Sequence, residues 1–269
     1  MHSLCKDGIT DLFVLVDNSL VKRTGPGRPG LTKSEVVTIL LWNVLTENQQ
    51  ILKDIHAWIK RYYRAEFPDL PGYSAFVDQC HQATKELQHL LHLLLASDAP
   101  IRWLDSTMVP VCKSHRAKSY KVARKVVGWG KNHQGFWFGF KLHGSINEFG
   151  RFCAVALTSA DVYDGHMSKN LTNNQTVIAV GDSHYGGRAQ TEPLREKNGT
   201  IFLAYPHPKQ NKKLLAGWQK MVLNWRSKIE SVWDQLKEHM HLVTSFPRSP
   251  QGYLVHYLPI IIGYQLTVM

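Results

Sequence analysis

The chain has 269 residues, 43% of them hydrophobic and 20% charged, and 32 Lys and Arg against 21 Asp and Glu leave a formal net charge of +11. Eight Trp, ten Tyr and ten Phe exclude a disordered chain, and the length suffices for one large or two ordinary domains whose core needs no disulfide help. Cys5, Cys80, Cys112 and Cys153 lie far apart without a C-x-x-C pair, which signals neither a structural zinc site nor a disulfide framework and makes a reducing cytoplasm the default expectation.

Residues 1–97 read as a helical region. Leu12, Leu15 and Val16 recur at helical spacing before Gly25-Pro26-Gly27-Arg28-Pro29-Gly30 breaks the pattern. Thr32 and Glu35 then form a T-x-x-E capping box ahead of Val36, Val37, Ile39, Leu40 and Leu41. Two further helical patterns cover 51–63 and 73–96. Short helices with tight connections suit a DNA-binding helix-turn-helix or a plain helical bundle.

From residue 101 the period changes to that of strands, over 101–111, 136–146 and 151–158, and three successive strands predict an antiparallel meander. A buried-type strand at 176–180, a helix at 189–197 and a strand at 200–205, ended by Pro206 and Pro208, follow. One long helix is expected over 218–240, where Leu223, Ile229, Trp233, Leu236 and Met240 share a face. The pattern predicts an α/β sandwich over 98–269. Asp7 and Asp11 interrupt any signal-peptide core, and the apolar run 253–266 is short and holds His256 and Pro259, so no membrane partner is expected.

The positive charge is segregated. Residues 106–147 hold eight cations, Lys113, Arg116, Lys118, Lys121, Arg124, Lys125, Lys131 and Lys141, with no acid, and 197–229 hold seven more, again with none. Two acid-free segments fit a polyanion rather than a generally basic surface. In the first, the cations alternate with Tyr120, Trp129, Phe136, Trp137 and Phe138, a mixture suited to phosphate contacts combined with base or sugar packing.

Against that background the few acids stand out. Asp105 lies mid-strand in Trp103-Leu104-Asp105-Ser106-Thr107, where an unpaired carboxylate is costly to bury. Asp182 ends Val177-Ile178-Ala179-Val180-Gly181-Asp182, at the strand edge where open sheets place ligand sites. Glu230 lies on the last expected helix, with Arg226 one turn before it and Lys237 two turns after. Taken singly, each has a bland reading, as a strand-end carboxylate or a wet helix pair. Brought together, three carboxylates repel unless cations intervene, and such hard oxygen donors select Mg²⁺ or Mn²⁺.

These residues resemble the DDE-type insertion-sequence transposases with a ribonuclease H-like catalytic domain, and within them the insertion-sequence nine-eighty-two family. The resemblance rests on Leu104-Asp105-Ser106-Thr107 with Val109-Pro110-Val111-Cys112, Phe138-Gly139-Phe140-Lys141-Leu142-His143, Gly181-Asp182 with Tyr185, and Ile229-Glu230-Ser231-Val232-Trp233-Asp234-Gln235-Leu236-Lys237. It implies a ribonuclease H-like mixed sheet flanked by helices, with Asp105, Asp182 and Glu230 as the catalytic acids holding two Mg²⁺ or Mn²⁺ ions. It further implies cleavage of double-stranded DNA at transposon ends, strand transfer into target DNA, Arg226 and Lys237 as phosphate contacts, and a homodimer on DNA in the bacterial cytoplasm, associated with the nucleoid. A two-metal nuclease without strand transfer and an inactive DNA-binding relic are the alternatives. The chain departs from the family in reading Gly181-Asp182-Ser183-His184-Tyr185 where Gly-Asp-Lys-Gly-Tyr is usual, and in placing Leu223 at the Tyr of the related Tyr-Arg-Glu-Lys signature.

Other polar residues carry weaker signals. His239 and His241, two apart on one expected helix, diverge and do not suit zinc, and His143 reads as a packing residue. Asp161 and Asp164 read as turn caps or as carboxylates supporting the site.

Overall fold

The computed structural model describes residues 6–20, 30–132, 135–185, 187–204 and 215–269. The Gly-Pro break before residue 30, Pro206, Pro208 and Cys5 lie outside them. The chain divides into two compact units, Met1–Leu94 with Met240–Thr267, and Leu95–His239 with the last two residues. This division differs from a single cut at residue 97, because the C-terminal segment returns to the N-terminal helices.

The helical unit contains α1 (Lys6–Ser19), α2 (Lys33–Leu45), α3 (Leu52–Tyr62), α4 (Tyr73–Gln82), α5 (Thr84–Leu94) and the C-terminal helix α10 (Pro250–Thr267). The capping box forms: the Glu35 N–H donates to Thr32 Oγ1 at 3.2 Å while the Thr32 N–H donates to Glu35 Oε2 at 2.6 Å. The helix expected over 73–96 is instead two, broken at Ala83. No Pro or Gly marks that break, so periodicity alone passes over it. Helix α10 is apolar all round and buried from Leu258 to Gln265, packing on α2, α4 and α5. A helix without a polar face gives no amphipathic signal, which is why the pattern left it out. Gln265 ties it down, its Nε2 donating to the Leu94 carbonyl at 2.8 Å. Among the described residues no helix is long and apolar enough to cross a membrane.

The second unit is a six-stranded mixed sheet of β1 (Ile101–Cys112), β2 (Gly128–Asn132), β3 (Gly135–Ile146), β4 (Phe152–Ser159), β5 (Ile178–Gly181) and β6 (Ile201–Ala204). The order is β2-β3-β1-β5-β6, and β4 pairs with β3 beyond the stretch that β2 occupies. Strand β3 runs antiparallel to β1, β2 and β4, while β1, β5 and β6 are parallel. Helices α6 (Ser168–Leu171), α7 (Arg188–Asn198), α8 (Gly217–Asn224) and α9 (Ser227–Asp234) flank this sheet, an architecture compatible with the ribonuclease H-like fold.

Two departures from the sequence pattern have local causes. Strand β2 was not expected because Gly128 and Gly130 break its alternation. Gly130 lies beneath the Trp137 ring, where an added Cβ would come within 2.2 Å. The helix expected over 218–240 is interrupted at Trp225 and Arg226, and its end, Gln235–His239, winds as a π-helix. The Trp103 indole N–H takes the Val222 carbonyl at 2.8 Å, and the Arg226 N–H turns to the Leu223 carbonyl at 3.1 Å. A tertiary hydrogen bond thus replaces the i→i−4 rung and ends α8.

Candidate active site

Strand alternation sends Trp103 and Asp105 to one face of β1 and Leu104 to the other. Leu104 is buried with Met167, Leu171, Ala179 and Tyr185. Trp103 meets the opposite layer, its ring stacked on Trp225 at 5.9 Å, so Asp105 faces α8 and α9. Strands β1 and β5 pair in parallel with Trp103 opposite Val180. Two residues further, the same register sets Asp105 beside Asp182.

The turn after β5 is held at both ends. Asp182 Oδ1 accepts the His184 N–H at 2.9 Å, and the Tyr163 hydroxyl donates to the His184 carbonyl at 2.7 Å. Tyr185 is fully buried. Ser183 and His184 follow in a turn that Asp182 itself caps, with His184 Nδ1 3.7 Å from Asp182 Oδ2.

Glu230 reaches the site because β3 carries a glycine where α9 crosses. Gly144 pairs with Asp105 across the sheet, and a Cβ on it would come within 2.8 Å of both Phe152 and Trp233. Without that atom Trp233, one turn after Glu230, packs against Phe152 at 5.6 Å between ring centres. The close approach brings the start of α9 over β1.

Asp105, Asp182 and Glu230 therefore line one cleft of about 560 Å³, together with Lys131, Lys141, Asp164, Arg226, Asp234 and Lys237. Arg226 Nη2 lies 3.7 Å from Asp105 Oδ1 and 3.4 Å from Glu230 Oε1. Burial raises the Asp105 carboxyl to about 6; Arg226 and the Ser106 N–H oppose that rise, while Asp182 and Glu230 add to it. The Lys237 ammonium is pushed below its ordinary value by burial, against the pull of Asp234, Glu238 and Asp105. Three buried donors in this lining, Trp137 Nε1, Trp233 Nε1 and Arg226 Nε, find no acceptor among the described residues. Such groups cost roughly 1–3 kcal/mol each when left unmade, so the cleft wall is suited to an acceptor-rich ligand.

The donor chemistry fits hard divalent cations, since the acids offer carboxylate oxygens and their mutual repulsion is what a cation offsets. Among the described residues no three His, Cys, Asp or Glu side chains converge closely enough to hold one ion. The Arg226 guanidinium bridges two of the three acids instead.

The eight cations of the first basic segment, together with Arg226 and Lys237, separate into two sets. Lys113, Arg116, Lys118, Lys121, Arg124, Lys125 and Lys131 are exposed along the segment between β1 and β3. Lys141, Arg226 and Lys237 are partly buried and line the cleft. Lys141 is held within the fold, its Nζ donating to Asp164 Oδ1 and to the Val162 carbonyl, both at 2.9 Å. Asp164 also faces His143 Nδ1 at 3.8 Å, and His143 Nε2 bonds the Thr158 hydroxyl at 2.9 Å. His143 is fully buried and, by burial first, lowered to about 4. The signal for this network was present in the sequence as Lys141 and His143 two apart on one strand face, but its partner Asp164 lies beyond the next strand. Lys209, Lys212 and Lys213 of the second basic segment fall outside the described residues.

No curated protein matches the sequence. Residues 96–250 match the profile of the family described as Transposase DDE domain, a span that takes in β1, β5 and α9 with all three acids. More than half of the chain is covered by that match, and the chain belongs to the transposase DDE-domain family.

Proposed function

We propose that the protein is a DNA transposase of the insertion-sequence nine-eighty-two family that cuts double-stranded DNA at transposon ends and joins the freed 3′-OH to target DNA. Asp105, Asp182 and Glu230 act as the catalytic carboxylates. The observation that carries this reading is their placement in one cleft from the middle of β1, the end of its parallel neighbour β5 and one helix, inside the family-matching span.

Two Mg²⁺ or Mn²⁺ ions, when held by these carboxylates, supply activation of the attacking oxygen and stabilisation of the leaving one. The chain's own residues do the rest. Arg226 restrains the Asp105 and Glu230 side chains and presents positive charge to a phosphate, and Lys237 adds a second cation two turns after Glu230. The exposed cations from Lys113 to Lys131 attract and align the duplex. Action on two transposon ends calls for a homodimer on DNA, working on the nucleoid in the bacterial cytoplasm.

The test is a plasmid assay in Mg²⁺ that scores cleavage and joining separately, with the parent protein, Asp182→Asn and Glu230→Gln. Both variants should lose cleavage by orders of magnitude while binding DNA as well as the parent or slightly better, since a charge that repels phosphate is gone. Combining them should cost little more than either alone. Cleavage by the parent in EDTA, or normal cleavage by Asp182→Asn, removes the acid assignment. Cleavage without joining favours a two-metal nuclease, and binding with neither step favours an inactive relic.

A further inference from the structure

The basic segment carries more than charge. Strands β2 and β3 pair with Trp129 opposite Phe138 and Lys131 opposite Phe136, and directly paired residues share a face. These four side chains therefore lie together on one side of the hairpin. Phe138 is buried, with Trp129 at 5.3 Å and Tyr120 at 6.1 Å between ring centres. Trp129 is 46% exposed and Phe136 62% exposed, and Lys131 Nζ stands 5.2 Å from the Phe136 ring centre. Gly130, on the other face, leaves Trp137 room to pack beneath, so the exposed rings sit on a filled layer.

Large aromatic rings on a soluble surface are costly unless they receive something planar or apolar. Their neighbours along the chain are cationic: Lys121, Arg124, Lys125 and Lys131 are exposed, and the sequence holds no acid between residues 106 and 147. An apolar protein partner gains nothing from that density of cations. A duplex offers phosphates, but its base faces are already stacked on one another and only the edges are open. Exposed rings among cations match a strand whose bases are unpaired, where every base has a free face to stack and the backbone lies on Lys and Arg. Lys131 belongs both to this hairpin face and to the lining of the acid cleft, so such a strand leads toward the carboxylates.

We infer that the β2–β3 hairpin is a stacking platform for unpaired DNA bases, Trp129 and Phe136 each taking a base face, so that the substrate strand is presented locally single-stranded beside the acid cleft. This rests on the proposed DNA-cutting reading and names the form in which that substrate is held.

The test compares a labelled 12-nucleotide oligo(dT) with a 20-base-pair blunt duplex by fluorescence anisotropy, on the full chain without metal. Trp129→Ala combined with Phe136→Ala should weaken oligo(dT) binding about 30-fold or more, at the low end of two stacked bases, and leave duplex affinity and its salt dependence unchanged. Trp129→Tyr with Phe136→Tyr keeps both rings and should restore the parent affinity for oligo(dT). On a duplex cleavage substrate, opening three base pairs at the cut site should rescue the Ala pair in Mg²⁺. Equal oligo(dT) binding by the parent and the Ala pair overturns the platform while leaving the DNA-cutting reading intact. Equal loss on duplex and single strand, unrepaired by the Tyr pair, overturns it as well and makes the rings structural. A parent that binds neither probe overturns both readings.

Discussion

The exposed cations between β1 and β3 and the cleft cations on β3, just before α9 and on the π-helical turn have the same formal charge and opposite surroundings. Lys121, Arg124 and Lys125 face solvent in a stretch without acids, whereas Lys141, Arg226 and Lys237 stand among Asp105, Asp164, Glu230 and Asp234. A cation in water adds to a long-range field that salt screens. One held between carboxylates is already partly neutralised and acts on its neighbours' geometry and protonation. Sequence counting adds the two sets together, but the fold gives them different surroundings.

The largest test of this contrast removes the first set. Lys121→Ala, Arg124→Ala and Lys125→Ala combined should lower duplex affinity roughly 100- to 500-fold at 0.1 M salt and reduce the slope of log K against log salt by about three units. Cleavage of DNA that is fully bound should change little, because none of the three lines the cleft. Titrations across 50 to 300 mM salt check both numbers; an unchanged slope means that this surface faces away from DNA.

This is also where the sequence was most and least informative. The charge segregation, the capping box at Thr32, the strand holding Asp105 and the strand edge before Asp182 depend on neighbours in the chain, and they were legible. Helix α10 was not, since a helix buried on every side has no period to detect. Strand β2 was hidden by two glycines whose reason is the Trp137 ring, and the break before Arg226 by an indole on β1, 119 residues away from the carbonyl it takes. In the site, each acid could be marked singly. That Gly144 opposite Asp105 admits Trp233, and so sets Glu230 over β1, required the register and the packing together.

The second expectation concerns His143, which lies behind Lys141 and has no access to solvent. Burial lowers its imidazole from 6.5 to about 4, with Asp164 opposing. The unfolded chain therefore takes up a proton that the folded chain refuses between those values. Its contribution to stability is complete above pH 6.5 and falls as pH drops toward 4, by about 3 kcal/mol in all. His143→Asn should flatten the acid side of the curve by that order. Urea unfolding at pH 7.5, 5.5 and 4.5 measures it, and parallel curves for parent and variant would show that His143 titrates freely.

A smaller effect separates counterion from DNA contact at Lys141. If the ammonium serves Asp164, Lys141→Met leaves a partly buried carboxylate uncompensated and should cost about 2 kcal/mol of stability. Adding Asp164→Asn should return at least half of it, a coupling that distant sites do not show. The salt slope of DNA binding should be the same in all four proteins. A slope lower by about one unit in Lys141→Met, with no rescue in the pair, would place Lys141 among the phosphate contacts instead.

The smallest effect, and the one closest to the chemistry, is at Arg226. Its guanidinium lies within 4 Å of both Asp105 and Glu230, so it and a divalent cation compete for the same carboxylate charge. It also lowers the Asp105 carboxyl against the rise that burial imposes. Replacing it by Gln keeps hydrogen-bonding capacity and removes the positive charge. On the proposed reading the two consequences oppose each other. Metal-binding carboxylates freed of their competitor should need a few-fold less Mg²⁺ for half-maximal cleavage at pH 8, well above the value of about 6 to which burial raises Asp105. DNA should bind a few-fold more weakly, because one cation beside the scissile phosphate is gone. At pH 6 the Mg²⁺ advantage should shrink or reverse, since Asp105, no longer held down by Arg226, keeps its proton to higher pH and a protonated carboxyl is a poor ligand. Mg²⁺ titrations of cleavage at the two pH values, with DNA saturating, resolve this. If Arg226→Gln weakens DNA binding and leaves the Mg²⁺ requirement the same at both, Arg226 belongs with the exposed cations in function despite its place in the cleft.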